Sequence, residues 1–274
     1  MNKKPKITIS IACYNKLEYT KQCLIALYKK TPSDLFSLII INNDSTDGTT
    51  EWLVKDFNKE IPNKKNSIVV LNNSINVGFA RAHNQAFAES KTPYTLFLNN
   101  DIIVKKDWLE PIIRDLDKYR NVAIVGSKLI SPFLNGIQHA GVFFNGIMPY
   151  HFGTGLSGDR KEVNIKRYVP AVTGACFAVR NIHWRELRYT RENNQEYSGF
   201  SEAYLNGWED IDACLRLREN GYDILYEPKS ELFHYEGVSD NRYIAENQNR
   251  AIFIKNWYKK LQDGLNEIPF KEVK

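Results

Sequence analysis

The 274-residue chain lacks paired cysteines, long hydrophobic runs and a strong excess of charge of one sign. Its four cysteines are scattered without a Cys-x-x-Cys pair, which predicts reduced, structural thiols in a cytosol rather than a disulfide framework. No stretch approaches the roughly 18 consecutive apolar residues that a membrane-spanning helix needs. The short apolar run after the N-terminal lysines predicts a first strand, not a signal peptide. The formal charge of +5 is mild, and no nucleic-acid-binding signature is present.

The composition is that of an ordinary globular protein, with 43% hydrophobic and 25% charged residues. At this length one large domain, or one domain with an extension, can bury a sizeable core. The sequence has no internal repeats, so the order of strands and helices along the chain indicates the fold.

The first half of the chain alternates short apolar runs with stretches at helical spacing. The runs are nearly unbroken, which favours strands covered on both faces, as in a parallel sheet. Strands are predicted at 6–13, 36–41, 67–71 and 94–98, and helices at 16–30, 79–90 and 107–119. This alternation predicts βαβ units and a mostly parallel, Rossmann-like α/β sheet.

After residue 126 the pattern changes to short apolar pieces separated by glycine and proline. The change predicts a mixed or antiparallel second half rather than further βαβ units. Residues 151–167 are polar, glycine-rich and basic, which predicts a mobile loop that orders over a bound anion. A final amphipathic helix is predicted at 241–261, within a C-terminal extension that covers 241–274.

Polar side chains follow three of the predicted parallel strands at the points where those strands end. They are Asn15, the group 42–44, and the triplet Asn99, Asn100 and Asp101. Because open α/β sheets bind ligands at the carboxyl ends of their strands, we expect these side chains to share one ligand-binding edge. A carboxylate among carboxamides offers hard oxygen ligands for Mg²⁺ or Mn²⁺ carrying a phosphate. The alternative is a polar turn that caps the helix predicted at 107–119.

Six short sequence motifs follow one another along the chain. They are ACYN at 12–15, NDSTDGT at 43–49, NVGFA at 76–80, NND at 99–101, TGAC at 173–176 and WEDID at 208–212. One such motif is a weak signal, whereas six in sequence are specific. On these motifs the chain resembles an inverting family-2 glycosyltransferase with the GT-A fold. The resemblance covers residues 1–240 as one domain, and implies that 1–126 binds the nucleotide sugar and 127–240 the acceptor.

The triplet at 99–101 resembles the DxD motif of that family with its first Asp replaced by Asn99. The resemblance implies that Asp101 binds a divalent metal, Mn²⁺ or Mg²⁺, which grips the donor diphosphate as Lewis acid and template. His234 resembles the downstream histidine that supplies a further metal ligand in many such enzymes. An imidazole ligand would favour Mn²⁺ over Mg²⁺. The alternative for a lone histidine is an ordinary structural role.

Asp210 resembles the general base of the family, with Glu209 beside it as the second candidate. Inverting sugar transfer needs a carboxylate that takes the proton of the acceptor hydroxyl as this hydroxyl attacks the anomeric carbon. The alternative is that Asp210 caps the helix predicted at 210–219, whose N-terminus lowers the basicity of a carboxylate. Asp212 is interpreted as a solvated or helix-stabilising residue.

The resemblance also implies contacts with the nucleotide sugar at positions in these motifs and in the segment around 81–84. They are Ala12, Tyr14, Asn15, Asn43, Asp44, Arg81, Asn84, Asn99, Asn100, Gly174 and Trp208. In the family pattern an acidic residue commonly meets a pyrimidine at or beside 42–43, where this chain has two amides followed by Asp44. Gly174 suits a close approach of the backbone to the donor sugar. Trp208 either stacks on a sugar face or belongs to the core, and Asp47 is interpreted as a helix cap.

The resemblance therefore implies a transferase that moves a sugar from a UDP- or dTDP-sugar to a hydroxyl of a glycan or lipid-linked acceptor. The sugar would be a hexosyl, N-acetylhexosaminyl or rhamnosyl group, and the product a cell-surface polysaccharide or glycolipid. A sugar nucleotidyltransferase is an alternative, but it would need a glycine- and lysine-rich loop after the first strand. A catalytically inactive nucleotide-sugar-binding protein is another, and it would not need both Asp101 and Asp210.

The predicted C-terminal helix carries an apolar stripe of Ile254, Trp257, Tyr258 and Leu261 beside three lysines. This pattern favours packing of the helix onto the catalytic domain, with the lysines in solvent. The alternative is peripheral contact with the inner face of an anionic membrane, where a lipid-linked acceptor would lie. The sequence thus predicts a cytoplasmic protein and leaves membrane contact open.

Overall fold

The computed structural model describes residues 5–62, 64–133, 136–191, 195–235, 245–268 and 273. The strands in this part of the chain are β1 Ile7–Cys13, β2 Phe36–Asn43, β3 Ile68–Asn73, β4 Tyr94–Asn99, β5 Ile102–Val104, β6 Val122–Ser131, β7 Gly136–His139, β8 Val142–Asn145, β9 Met148–His151, β10 Arg167–Tyr168, β11 Cys176–Arg180, β12 Arg188–Thr190, β13 Glu196–Ser198 and β14 Asp223–His234. The α-helices are α1 Leu17–Lys30, α2 Thr49–Lys55, α3 Phe57–Glu60, α4 Gly78–Glu89, α5 Leu109–Lys118, α6 Asn181–Trp184, α7 Glu209–Glu219 and α8 Glu246–Gln262.

One sheet joins both halves of the chain, in the order β10-β14-β6-β11-β4-β1-β2-β3, with β5 beside β14 and β7 beside β6. Strands β3, β2, β1 and β4 are parallel, as the unbroken apolar runs predicted. The inward side chains of β1 are fully buried, because helices cover this part of the sheet. Strand β11 runs antiparallel to both β4 and β6, which confirms the predicted mixed second half.

Strand β14 extends well beyond the short strand that the sequence suggests at 222–226. It reaches His234 by pairing with β6 across a register shift between Glu227 and Glu231. The shift spans Pro228, which has no N–H to donate and is tolerated in a sheet mainly at bulges and edges. The interruption that reads as a strand end in the sequence is therefore a bulge within one long strand.

Residues 151–167 differ from the predicted mobile loop. The backbone N–H of Gly155 donates to the carbonyl of Ile137 at 2.8 Å, and the N–H of Ile137 donates to Leu156 at 2.7 Å. Lys166 pairs with Asp115 at 2.6 Å and with buried Glu227 at 2.5 Å. Arg167 is also buried. Lys166 thus holds the segment against α5 and β14, and Arg167 bonds to backbone carbonyls within the segment, so both cations have partners inside the protein.

Helix α8 packs against α7 and the loop before it, as the core interpretation predicted, and positions 241–244 of the predicted helix lie outside the described residues. Its buried face consists of Asn249, Phe253, Trp257 and Leu261, whereas Tyr258 is 53% exposed. The predicted apolar stripe included Ile254 and Tyr258 because the prediction considered apolar residues alone, whereas the buried face also contains Asn249. Among the described helices, none is both long and apolar enough to cross a membrane.

Candidate active site

The parallel strands bring the predicted polar ends to one edge of the sheet. Ala12 of β1 lies beside Ile41 of β2 on one side and beside Asn99 of β4 on the other. Cys13 pairs with Asn42 in the same register. The strand ends that the sequence was expected to bring together therefore lie side by side, and the loops that follow them start from one edge of the sheet.

The two amides at the end of β2 are buried and bonded within the chain. Asn43 accepts hydrogen bonds from the Asn73 amide at 2.9 Å and from the Val77 N–H at 3.2 Å. Its Nδ2 donates to the side-chain Oδ1 of Asn76 at 2.9 Å. Asn43 therefore anchors the segment before α4, while its neighbour Asp44 is exposed with a left-handed backbone, φ 67°.

Asn15 and Asp47 link the loops that follow β1 and β2. The Oδ1 of Asn15 accepts the Thr46 N–H at 2.7 Å. Asp47 accepts the Leu17 N–H at 2.7 Å and the Thr49 hydroxyl at 2.6 Å, so it ties the starts of α1 and α2 together. Partial burial acts to raise the pKa of Asp47, but these hydrogen bonds outweigh it and the pKa is lowered. The carboxylate therefore caps two helices rather than one.

The structure gives Asn84 a role other than the predicted nucleotide contact. Its amide donates to the Tyr189 hydroxyl and to the Phe200 carbonyl, each at 3.0 Å, and its oxygen accepts the Phe200 N–H at 2.9 Å. These bonds join α4 to the segment after the β12–β13 hairpin. Arg81, on the same helix, is exposed, as is Tyr14 after β1. These two side chains are available to a ligand where Asn84 is not.

Asp101 and His234 meet where β5 runs antiparallel to the end of β14. His234 Nε2 lies 3.2 Å from Asp101 Oδ1 and 3.4 Å from the Asn99 amide nitrogen. Both residues are almost fully buried. The distance to Asp101 allows an ion pair, but the two atoms are not aligned for a hydrogen bond, and Oδ1 has no hydrogen-bond partner among the described residues.

An orphaned carboxylate oxygen beside an imidazole nitrogen is an arrangement that a divalent cation would satisfy. No group of three or more His, Cys, Asp or Glu side chains comes together in the described parts of the chain. Asp101 and His234 would thus supply two ligands and leave other positions for ligand oxygens, which is how Mg²⁺ and Mn²⁺ sites use substrate phosphates. Asn100 points elsewhere, because its amide donates to buried Thr20 at 2.9 Å.

Asp210 lies in the first turn of α7 and faces Gly174. Its Oδ2 accepts the Gly174 N–H at 2.5 Å, and its Oδ1 accepts the Ile211 N–H at 2.8 Å. A Cβ on Gly174 would lie 3.2 Å from both Asp210 Cβ and Phe79 Cζ, so this position has little room for a side chain. Glu209 is buried and accepts the Gly207 N–H at 2.6 Å, which makes Asp210 the more accessible carboxylate.

Trp208 and Asp212 both serve the packing of α8. The Trp208 indole donates to Glu246 at 3.1 Å, and its ring lies 4.8 Å from that of Phe253, so the core alternative describes it rather than sugar stacking. Asp212 is not solvated, because it is buried and accepts the Trp257 indole N–H at 2.9 Å. Burial raises the pKa of Asp212, although its partners act in the opposite direction.

Two residues next to the site have no signal in any motif. Gln138 of β7 lies 2.7 Å from His234 Nδ1, through its Oε1. Asn249 of α8 makes three hydrogen bonds of 2.9–3.1 Å to the backbone of Leu205 and Gly207, in the loop before Asp210. Only the folded arrangement shows either contact, although a lone asparagine on the inner face of a helix is a weak hint.

The chain matches known proteins along most of its length. The model for Glycosyl transferase family 2 matches residues 8–188. The chain is 24% identical over 242 residues to the O-antigen biosynthesis protein RfbC of Myxococcus xanthus, covering 86% of this chain and 18% of RfbC. It is 26% identical over 196 residues to the rhamnosyltransferase WbbL of Escherichia coli (strain K12), covering 69% of this chain and 66% of WbbL.

A solved structure of the mannosyltransferase PcManGT from Pyrobaculum calidifontis, in complex with GDP-Man and Mn²⁺, resembles the fold with a TM-score of 0.65. It is 18% identical and covers 97% of this chain and 66% of that chain. The predicted GT-A fold is thereby confirmed. The chain spans a quarter or less of the length of two relatives that match 86% of it.

Proposed function

The chain belongs to glycosyl transferase family 2, and from this premise we propose that it is a metal-dependent, inverting glycosyltransferase. The observation that carries the proposal is the link between the two halves of the site. The Asn99 N–H donates to the Ala175 carbonyl at 3.0 Å, and the neighbouring Gly174 N–H donates to Asp210 at 2.5 Å. The dipeptide Gly174-Ala175 is thus hydrogen-bonded both to the end of β4, next to Asp101, and to the proposed base Asp210.

In this proposal Asp210 takes the proton of the acceptor hydroxyl as the hydroxyl attacks the anomeric carbon, on the side opposite the leaving diphosphate. The Gly174 and Ile211 N–H groups orient the carboxylate before the acceptor arrives. No covalent intermediate on the enzyme is needed, because the attack inverts the anomeric centre in one displacement. Glu209 is the second candidate, but its burial limits its access to an acceptor.

Asp101 and His234 would hold the divalent cation, Mn²⁺ or Mg²⁺. When bound, the cation would neutralise charge on the departing nucleoside diphosphate. The Asn99 carboxamide, 3.4 Å from His234, would lie next to the same ligand. A mixed oxygen and imidazole ligand set supports Mn²⁺ in particular, and the PcManGT complex contains Mn²⁺.

The donor in this proposal is a UDP- or dTDP-sugar, and the acceptor is a glycan or lipid-linked hydroxyl in cell-surface polysaccharide assembly. The names of RfbC and WbbL support the polysaccharide role, and WbbL supports a rhamnosyl donor among the hexosyl alternatives. Exposed Tyr14, Asp44 and Arg81 surround the strand ends where the nucleotide would lie. Lys255, Lys259 and exposed Tyr258 on the outer face of α8 would provide a peripheral membrane contact.

The proposal is tested by thermal unfolding of the purified chain with a panel of nucleotide sugars, each with Mn²⁺ and with EDTA. We expect one nucleotide class to raise the melting temperature with Mn²⁺ and to have little effect with EDTA. For that donor, sugar transfer is then followed by nucleoside diphosphate release, and the anomeric configuration of the product is read by NMR. Retention of configuration would overturn the inverting mechanism, and a panel without any stabilising nucleotide sugar would overturn the transferase function.

A further inference from the structure

The ring orientation of His234 is determined by its partner on β7. Gln138 Oε1 lies 2.7 Å from Nδ1, and a carboxamide oxygen can only accept a hydrogen bond. Nδ1 must therefore carry the proton. In the neutral imidazole the lone pair is then on Nε2, the atom that faces Asp101 Oδ1 at 3.2 Å.

Two electron-pair donors thus face each other in a buried place. The amide of Asn99 is 3.4 Å from Nε2, which is a long contact, and Asp101 Oδ1 has no hydrogen-bond partner among the described residues. Opposed lone pairs repel unless a cation or a proton lies between them. The arrangement is favourable only when such a charge is present.

A β-bulge places Gln138 where it can reach His234. In the β6–β7 ladder Leu129 pairs with His139 while Ile130 pairs with Ile137, so Gln138 is the extra residue. Bulges next to active sites re-aim a side chain out of the regular alternation. On the other side of β6, Phe233 pairs with Ile130, which brings His234 to the level of the bulge.

We propose that Gln138 is a positioning residue for the cation site: it holds His234 in the tautomer that presents Nε2 as a ligand beside Asp101. This inference rests on the proposed function, since it needs a cation between these residues. Gln138 itself touches neither cation nor substrate. Partners of this kind on the far nitrogen of a ligating histidine set the orientation and basicity of the ring, and their loss typically weakens metal binding by about 10- to 100-fold.

The first measurement is Mn²⁺ affinity, read from the electron paramagnetic resonance signal of free Mn²⁺, alone and with UDP or inorganic pyrophosphate. Gln138→Met keeps the length of the side chain and removes the acceptor, so we expect about 10- to 100-fold weaker binding. Gln138→Glu keeps the acceptor and adds charge, so binding should equal or exceed that of the wild type. Thr154→Val is the matched control, because the Thr154 hydroxyl donates to the backbone carbonyl of Gln138 and not to its side chain.

The second measurement needs no metal. In nitrogen-15 NMR spectra of the metal-free protein, wild type and Gln138→Glu should show His234 protonated on Nδ1, and Gln138→Met should lose that preference. A merely structural role for Gln138 would not move this signature. If Gln138→Met does not fold, Gln138→Glu decides alone, and weaker Mn²⁺ binding by that variant overturns the inference.

The outcomes separate the inference from the function on which it rests. If the wild type binds no Mn²⁺ under any of these conditions, the proposed metal dependence fails, whatever the tautomer. If the wild type binds Mn²⁺ and Gln138→Met binds it equally well, the function stands and the role of Gln138 is refuted.

Discussion

The two ends of the candidate site differ in how completely their carboxylates are bonded. On the cation side, which we define as Asp101 and His234, Asp101 Oδ1 lacks a hydrogen-bond partner among the described residues. On the base side, defined as Asp210 and the loop 205–208, both carboxylate oxygens of Asp210 accept backbone N–H groups. The first arrangement leaves a buried carboxylate oxygen without a hydrogen bond among the described residues, whereas both oxygens of the second are bonded within the chain.

The two sides also differ in what holds them. On the cation side, Asp101 lies between β4 and β5 and His234 ends β14, and these three strands belong to one hydrogen-bonded sheet. The base side follows a loop in which Asn206 and Trp208 have left-handed backbones, φ 53° and 76°. That loop is braced by Asn249 of α8, which lies beyond the 8–188 segment that the family model matches. Of the two sides, Asp101 lies within that segment, whereas His234 and Asp210 lie beyond it. The difference between them is that the loop of the base side is held by a separate helix, α8.

The largest expected effect is loss of the cation side. Asp101→Asn keeps the shape of the side chain but removes its charge, so transfer should fall on the order of 10³-fold or more, which corresponds to several kcal/mol of lost charge stabilisation. Binding of nucleoside diphosphate should weaken as well, and EDTA should reproduce both losses in the wild type. The assay is initial-rate transfer, with Glu110→Gln as a control at an exposed acid on α5. Full activity of Asp101→Asn, or of wild type in EDTA, would refute the metal assignment.

The second expected effect is confined to the base side. Asp210→Asn can still accept the Gly174 N–H but cannot take a proton, so kcat should fall by about 10²-fold or more. Mn²⁺ and donor affinities should stay close to wild type, because in the proposed mechanism this carboxylate acts on the acceptor. These are measured by saturation kinetics and by the Mn²⁺ titration. If Glu209→Gln lowers kcat more than Asp210→Asn does, the base is Glu209.

Much of the cation side could be predicted from the sequence, because its determinants are local. The unbroken strand before Asn99 and the polar triplet after it indicate a carboxyl edge without any knowledge of distant contacts. Gln138 could not be predicted, since its contact with His234 joins residues 96 positions apart through a bulge. Asn84 shows the converse: the resemblance implies a ligand contact at this position, yet its amide is bonded to Tyr189, Phe200 and Glu202.

The base side was predicted less completely, because its geometry comes from helix docking. Asp210 stands in a recognisable motif, but the conformation of its loop depends on Asn249, 39 residues later. Asp212 and Trp208, which resembled solvent-facing or ligand-facing residues, are contacts of α8 instead. Hydrophobic periodicity indicates that α8 has a buried face and says nothing about which loop that face meets.

Removing the Asn249 side chain should affect the base side and leave the cation side unchanged. Asn249→Ala deletes three hydrogen bonds to the loop before Asp210, so kcat should fall by roughly 10-fold, equivalent to about 1.4 kcal/mol. Mn²⁺ affinity and the KM for donor should not change, because β4 and β14 are untouched. The rates are compared well below the melting temperature of both proteins. Asn247→Ala, the same substitution at an exposed position of the same helix, is the control. An equal loss of Mn²⁺ affinity would show that α8 supports the whole site.

The smallest expected effect concerns the charge of Asp212, which accepts a hydrogen bond from Trp257 of α8. Burial raises the pKa of Asp212 above its ordinary value of 3.8, while Arg216, Trp257 and Tyr204 oppose the shift. The folded state thus binds this proton more readily than the unfolded state. Its contribution to the free energy of unfolding is fully present below pH 3.8 and is lost as pH rises through the folded pKa.

Asp212→Asn cannot titrate and keeps an oxygen that accepts the Trp257 N–H, so it isolates this contribution. The free energy of unfolding of wild type minus that of Asp212→Asn should decline as pH rises from 3.8, and the three partners that favour the carboxylate act against this decline. Chemical denaturation at a series of acidic and neutral pH values measures the difference, with kcat expected to change less than in Asn249→Ala. A difference that instead grows with pH would mean that Asp212 is stabilised as a carboxylate, through its ion pair with Arg216 one turn later on α7.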